Sequence, residues 1–190
     1  MVLTGELEPT NEGYAIAKVT TARLCEYINR EDPGFQYKTL IPCNLYGRFD
    51  KFDPKHSHLV PAIILKVHQA MQSGAREEAI TGHGMARRRE FMYAGDLAGA
   101  VLRAVQEFES LPQYMNVGLG FDYTINEYYQ AVADVIGYRG NFVHDLGKPV
   151  GMARKLVSVE RQKAWGWNAY YSLAEGITQT YNYYLKEYQL

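Results

Sequence analysis

Three times along this chain, a run with apolar residues at helical spacing gives way across a polar turn to a short apolar segment of strand length. This alternation constrains the fold more than any other feature, because such repeats bury their strands in a mostly parallel sheet covered by helices. The first repeat opens at Pro9-Thr10-Asn11-Glu12, where Asn11 is placed to cap a helix through Ala15, Ile16, Ala17, Val19, Ala22, Leu24, Cys25 and Ile28. Asn29 to Gly34 has turn chemistry, and Tyr37 to Pro42 then reads as a buried strand. It runs into a polar-tipped loop, Cys43-Asn44-Leu45-Tyr46-Gly47. Ligands of open α/β sheets collect at the carboxyl ends of strands, which makes this loop a candidate site.

The later repeats obey the same logic. Val60, Ile63, Ile64, Val67 and Met71 form a stripe that predicts a helix from Val60 to Gln72, with Gly74 as its stop and Ala75 to Glu78 as a solvated stretch. Gly82-His83-Gly84 reads as a turn and Arg87-Arg88-Arg89 as extended chain. Leu97, Val101, Leu102, Val105 and Phe108 predict a helix from Ala94, ahead of a strand at Tyr114 to Val117. Thr124 and Glu127 have capping-box spacing at the head of a helix that Gly137 ends, and Asn141 to His144 is strand-like. Val159 to Trp165 and Ser172 to Glu187 read as two closing helices.

The chain has 190 residues and a formal net charge of −1, so one domain or two small lobes sharing a core are expected. The charge balance and the lack of a polybasic block argue against nucleic acid, and no apolar run is long enough to span a bilayer. Met1 to Glu6 lacks the pattern of a secretory leader, and Cys25 and Cys43 have no metal-ligand spacing. A reduced, cytoplasmic setting is the expectation. The 16 tyrosines, many of them toward the C-terminus, are assigned to core or subunit interface ahead of ligand contact.

Tyr14 and Lys18 stand four residues apart, which on a helix places them on one face about one turn apart. An ammonium beside a phenol favours the phenolate, so such a pair can work as a general acid or base near neutral pH. A Tyr-x-x-x-Lys spacing alone is common in a tyrosine-rich chain, and the motifs downstream of it carry more weight.

Tyr14 to Lys18, then Pro42 to Gly47, then Ser57-His58-Leu59-Val60-Pro61-Ala62 resemble the extended short-chain dehydrogenase/reductase family, and within it the GDP-L-fucose synthases. Further matches occur in the same order: Arg89-Glu90-Phe91, Gly95 to Ala98, Asn116-Val117-Gly118, Thr124 to Glu127, Lys148-Pro149 and Arg154-Lys155-Leu156. The resemblance covers nearly the whole chain. It implies an α/β fold, the C-terminal part of an NAD(P)-binding Rossmann fold plus a small α/β substrate-binding lobe. Residues 1–50 would be the distal Rossmann part and 51–190 mainly the nucleotide-sugar lobe, with 94–118 returning to the Rossmann sheet.

The resemblance also implies roles. Tyr14 would give a proton to the C4 carbonyl oxygen as hydride arrives from the nicotinamide, and Lys18 would support it and hold the nicotinamide ribose. Pro42, Cys43, Asn44 and Leu45 match the loop against the nicotinamide. His58 matches the acid/base of epimerisation and also lies toward the cofactor, with His56 a nearby competitor. Arg89, Lys66 and Lys155 would contact the nucleotide sugar, with Lys148 a further cation and the Arg89 register open by one residue. The partners implied are a GDP-linked 4-keto sugar and a second copy of the chain, docked through the helix from Tyr14 to Asn29.

Three departures bear on the substrate. Lys66 stands where the family has an arginine, Thr81 where it has a tryptophan, and Val150 where it has an aspartate. A dideoxy or heptose analogue of the fucose precursor is therefore open. No strand–Gly-x-x-Gly-x-x-Gly–helix turn occurs in these residues, and the family's catalytic serine and epimerisation cysteine are also missing. The expectation is a C-terminal portion, with NADP(H) held mostly by an N-terminal half and bound weakly or not at all by these residues alone. Two alternatives stay open: a 4-epimerase or 4,6-dehydratase with retained NAD, and a truncated nucleotide-sugar-binding or assembly module without turnover.

Overall fold

A computed structural model describes residues 5–81, 87–145 and 154–188. Helix α1 (Glu12–Glu31) leads to strand β1 (Thr39–Pro42), and Cys43 alone separates β1 from β2 (Asn44–Tyr46). The chain continues through α2 (Leu59–Ser73), β3 (Glu77–Thr81), β4 (Arg88–Arg89), β5 (Phe91–Tyr93) and α3 (Ala94–Gln106). Strands β6 (Tyr114–Val117) and β7 (Tyr123–Thr124) precede α4 (Ile125–Ile136), β8 (Asn141–Asp145), β9 (Arg154–Lys155), α5 (Glu160–Ala164) and α6 (Leu173–Tyr188).

The pairing is mostly parallel, as the helix–strand alternation predicts. β1 runs parallel to β6 with Leu40 opposite Met115, and β2 parallel to β5 with Tyr46 opposite Tyr93. β3 pairs with β8, while β4 lies between antiparallel β7 and parallel β9. Two expectations are corrected. Asn44 to Tyr46 is a strand, because after Cys43 donates its N–H to the Val117 carbonyl the chain changes partner from β6 to β5. Glu77 and Glu78 begin a strand, β3, since their backbone is taken up by β8, although the Glu77 side chain remains solvated.

Two apolar clusters form the core. The larger packs Ile63, Ile64 and Val67 of α2 against Tyr128, Tyr129 and Val132 of α4 and Ile177, Tyr181 and Tyr184 of α6. Several C-terminal tyrosines are therefore core residues. The smaller gathers Cys43, Met92, Met115, Val117 and Trp165 around Ala100 and Ala104 of α3. Those alanines let α3 approach the sheet closely, which turns its large aliphatics outward. Val101, Leu102 and Val105, which define the helix in sequence, are 44%, 60% and 71% exposed. On α1 only Ala22 is buried, and Ile16, Leu24 and Tyr27 face outward.

The helix ends obey local chemistry. Thr124 Oγ1 accepts from the Glu127 N–H at 3.1 Å and Glu127 Oε2 accepts from the Thr124 N–H at 2.6 Å, a complete capping box. Gly74 and Gly137 close α2 and α4 at φ of +68° and +88°, where a Cβ would be strained. Asn11 occupies the N-cap position of α1, but its amide reaches back to Glu8 and gives no side-chain cap.

His68 of α2 is buried, with Nδ1 2.8 Å from the Tyr181 hydroxyl. Burial disfavours the imidazolium and lowers its pKa below the usual value. The unfolded chain then binds more protons just below pH ~6.5, so stability is full above that pH and falls as pH drops toward the folded-state value. Urea unfolding at pH 7.5 and 5.5 should show a midpoint loss in the wild type that is smaller in His68→Gln. Thr124→Ala should cost about 1 kcal/mol at either pH.

Candidate functional site

Tyr14 and Lys18 share one edge of α1, as their spacing predicts. Lys18 Nζ lies 5.3 Å from the Tyr14 ring centroid, over the aromatic face. The expected juxtaposition is thus a cation–π contact, and the phenol, on a side chain 69% exposed, remains open to solvent. Tyr14 heads the outward-facing part of the helix, with both groups reachable from outside.

Of the strand-end residues, Pro42 is exposed and Cys43 lies deep. Pro42 closes β1, and Cys43 is buried where the chain changes sheets. Its thiol donates to the Asn44 carbonyl at 3.3 Å, and burial, aided by the nearby Glu90 carboxylate, pushes its pKa up to about 12. Cys43 therefore stays protonated at neutral pH, and Asn44 holds the polar chemistry at this place. Asn44 donates its amide to the Glu90 carbonyl at 3.2 Å and accepts from Lys155 Nζ at 3.2 Å.

Lys155 reaches Asn44 from β9, where it stands opposite Arg89 of β4. Alternation along the strands sends the preceding pair to the other face. Arg88 and Arg154 both engage Asp122, at 2.6 and 2.5 Å. Burial alone would raise the Asp122 carboxyl, but hydrogen bonds from the two guanidiniums outweigh it and hold the carboxyl below the usual range. The same contact raises Arg88. Arg88 is thus tied to Asp122 with its side chain still 42% exposed, and Arg89 is the arginine whose position lies opposite Lys155. Burial, then the neighbouring Arg87 charge, lower the pKa of Arg89.

Glu90, between β4 and β5, is 1% exposed. Its Oε1 accepts from the N–H groups of Leu119 and Gly120 at 2.7 and 2.9 Å, and its Oε2 from Val157 at 2.9 Å. Gln162 completes the turn by accepting from Gly118 N–H at 2.8 Å and donating to its carbonyl at 2.9 Å. A Cβ on Gly118 would lie 2.5 Å from Glu90 Oε1, so only glycine fits. Sequence reasoning assigned no role to Glu90, Asp122 or Gln162. The available signal was a carboxylate set directly against the apolar Phe91-Met92-Tyr93 run.

His58 occupies the N-cap position of α2 with extended backbone, and its side chain is exposed. The preceding loop is firmly tied. Asp53 Oδ1 accepts from the N–H groups of Lys55 and His56 at 2.9 and 2.8 Å, and the Ser57 hydroxyl donates to the Lys51 carbonyl at 2.6 Å. Lys66 is half-buried two turns further along α2. The structure thus brings Asn44, Arg89 and Lys155 together, while Tyr14 with Lys18 and His58 with Lys66 stand on α1 and α2. Gly82, His83, Gly84, Lys148, Pro149 and Val150 lie outside the described residues, as does the side chain of Thr81. Two surface hollows of about 500 and 420 Å³ are lined by none of the candidate residues.

Residues 1–118 match the family described as NAD dependent epimerase/dehydratase. The chain belongs to this family. Among its relatives is GDP-L-colitose synthase of Yersinia pseudotuberculosis, 56% identical over 187 residues, covering 98% of this chain and 60% of that protein. GDP-L-fucose synthase of Azorhizobium caulinodans is 51% identical over 184 residues, covering 97% and 58%. A solved structure, GDP-mannoheptose C4 reductase of Campylobacter jejuni with NADP bound, superposes with a TM-score of 0.80 at 27% identity, covering 95% of this chain and 62% of that one. The chain spans about three fifths of the length of the curated relatives it matches.

The two cysteines separate by environment. Cys43 is buried with a raised pKa, whereas Cys25 is half-buried on α1. Iodoacetamide at pH 8 should leave Cys43 unmodified in the native protein and label it after unfolding, as peptide mass spectrometry would read. Native labelling of Cys43 at the unfolded rate would contradict the packing around β1.

Proposed function

We propose that the protein to which these residues belong is an NADPH-dependent reductase, and also an epimerase, of a GDP-linked 4-keto-deoxy sugar. The observation that carries this reading is the contact between Lys155 and Asn44, with Arg89 opposite Lys155. It couples the end of the β1–β2 strand, where a family cofactor would approach, to a cationic pair suited to a diphosphate. Identity above 50% to GDP-L-colitose and GDP-L-fucose synthases supports the substrate class.

The cofactor is NADP(H), which when bound supplies hydride to the C4 carbonyl. The residues present fit its nicotinamide end. Pro42, Cys43, Asn44 and Leu45 lie at a strand end and would face the nicotinamide, and the exposed Lys18 would hold a ribose hydroxyl. A glycine-rich pyrophosphate turn is not among these residues, and we assign it to the remaining length seen in the relatives. In the same way, the outward apolar face of α3 and the edge of β1 opposite β6 await cover.

Tyr14 donates its phenolic proton to the C4 oxygen as negative charge develops there, and Lys18 stabilises the oxygen left behind. Epimerisation next to the ketone needs a proton removed on one face and returned on the other, and His58, on its braced loop, serves one of these transfers. Arg89 and Lys155 bind the diphosphate, with Lys66 a further sugar-nucleotide contact. The outward Ile16, Leu24 and Tyr27 support α1 as the homodimer face. Residues 1–50 with 94–118 belong to the cofactor-binding unit and most of 51–190 to the sugar-binding lobe.

Supplying the full-length protein with NADPH and either GDP-4-keto-6-deoxymannose or its 3-deoxy counterpart should consume NADPH in proportion to product. Catalysis without net NADPH consumption would favour a retained-NAD epimerase or dehydratase, and binding without turnover a non-catalytic module. Tyr14→Phe should lower reduction by about 10²-fold or more with the substrate KM little changed. Unchanged reduction would remove Tyr14 from this role.

A further inference from the structure

Glu90 closes a ring of contacts through the cationic part of the site. Its backbone carbonyl accepts from Asn44 Nδ2, Asn44 Oδ1 accepts from Lys155 Nζ, and two residues beyond Lys155 the Val157 N–H donates back to Glu90 Oε2. Arg89, which immediately precedes Glu90, is the cross-strand neighbour of Lys155. The remaining carboxylate oxygen is taken by Leu119 and Gly120, so Glu90 cannot shift without releasing the 118–120 turn. A carboxylate withdrawn from water is tolerated only when donors surround it, and here every one of these donors is backbone. The strand carrying Lys155 is only two residues long, and its hold on the sheet is reinforced at Val157 by Glu90.

From this we infer that Glu90 is a positioning residue for nucleotide-sugar binding: by gripping Val157 it sets where the Lys155 ammonium stands relative to Asn44 and Arg89. The inference rests on the assignment of Lys155 to the substrate diphosphate made above. A purely stabilising carboxylate would alter folding and leave the two substrates equally affected. A positioning carboxylate acts on one substrate only, and only while Lys155 is present.

Glu90→Gln keeps a carbonyl oxygen for the turn but turns an amide donor toward the Val157 N–H, which frees the β9 segment. Val157→Pro removes that N–H and leaves Glu90 intact, a second route if Glu90→Gln does not fold. In the full-length protein, with folding checked by thermal unfolding, each should raise the nucleotide-sugar KM by about tenfold or more. The NADPH KM and kcat should stay within about twofold of wild type. In a Lys155→Ala background neither change should raise the nucleotide-sugar KM further. If Lys155→Ala raises that KM but folded Glu90→Gln or Val157→Pro does not, or if their effects multiply with that of Lys155→Ala, the positioning role is overturned alone. If Lys155→Ala itself leaves the KM unchanged, the diphosphate assignment falls and this inference falls with it.

Discussion

A buried carboxylate is among the most demanding groups a fold can contain, and Glu90 meets that demand with three backbone N–H donors drawn from two distant segments. The rest of the site depends on that satisfaction. The turn at Gly118 can approach only because it lacks a Cβ, and the segment after β9 is drawn to the junction of β4 and β5 by Val157. Asp122 repeats the device on the opposite strand face, where two arginines neutralise one carboxylate and lock β4 to β9. Two-residue strands would be weak alone, and charge-assisted bonds compensate for their length.

These braces divide the cations by partner. Arg88 and Arg154 pair with Asp122, while Lys155, opposite Arg89, bonds to Asn44 from the alternate face. A chemically uniform run, Arg87-Arg88-Arg89, therefore contains a structural residue beside a candidate ligand contact. The difference between them is strand alternation together with the position of Asp122. At the head of α2, Asp53 and Ser57 likewise absorb backbone donors and acceptors of the loop, and the His58 side chain is exposed.

The two apolar clusters have different characters. The cluster of α2, α4 and α6 is aromatic and self-contained, with His68 and Tyr181 satisfying each other inside it. The cluster around β1, β5 and β6 is smaller and lies under α3, a helix apolar on both faces. Its alanine face fits the sheet and its aliphatic face is left outward. Together with the outward face of α1, this leaves the proposed cofactor side with more uncovered apolar surface than the sugar-binding side.

Local sequence determined the elements: α2 through its apolar stripe and Gly74, α4 through Thr124, Glu127 and Gly137, and the parallel α/β class through helix–strand alternation. It also determined that Tyr14 and Lys18 share a helix edge, because a four-residue spacing has one outcome in an α-helix. The resemblance across ordered motifs led to the family, which similarity to known relatives establishes. Tertiary structure decided the rest. Asn44 joins a strand because β5 is there to pair with it, Val101 and Val105 face outward because Ala100 and Ala104 pack more closely, and Glu90 meets Val157 across 67 residues of chain. Periodicity and caps are contained within a few neighbouring residues. Which face is covered, and which charge is answered, depends on groups that only folding brings together.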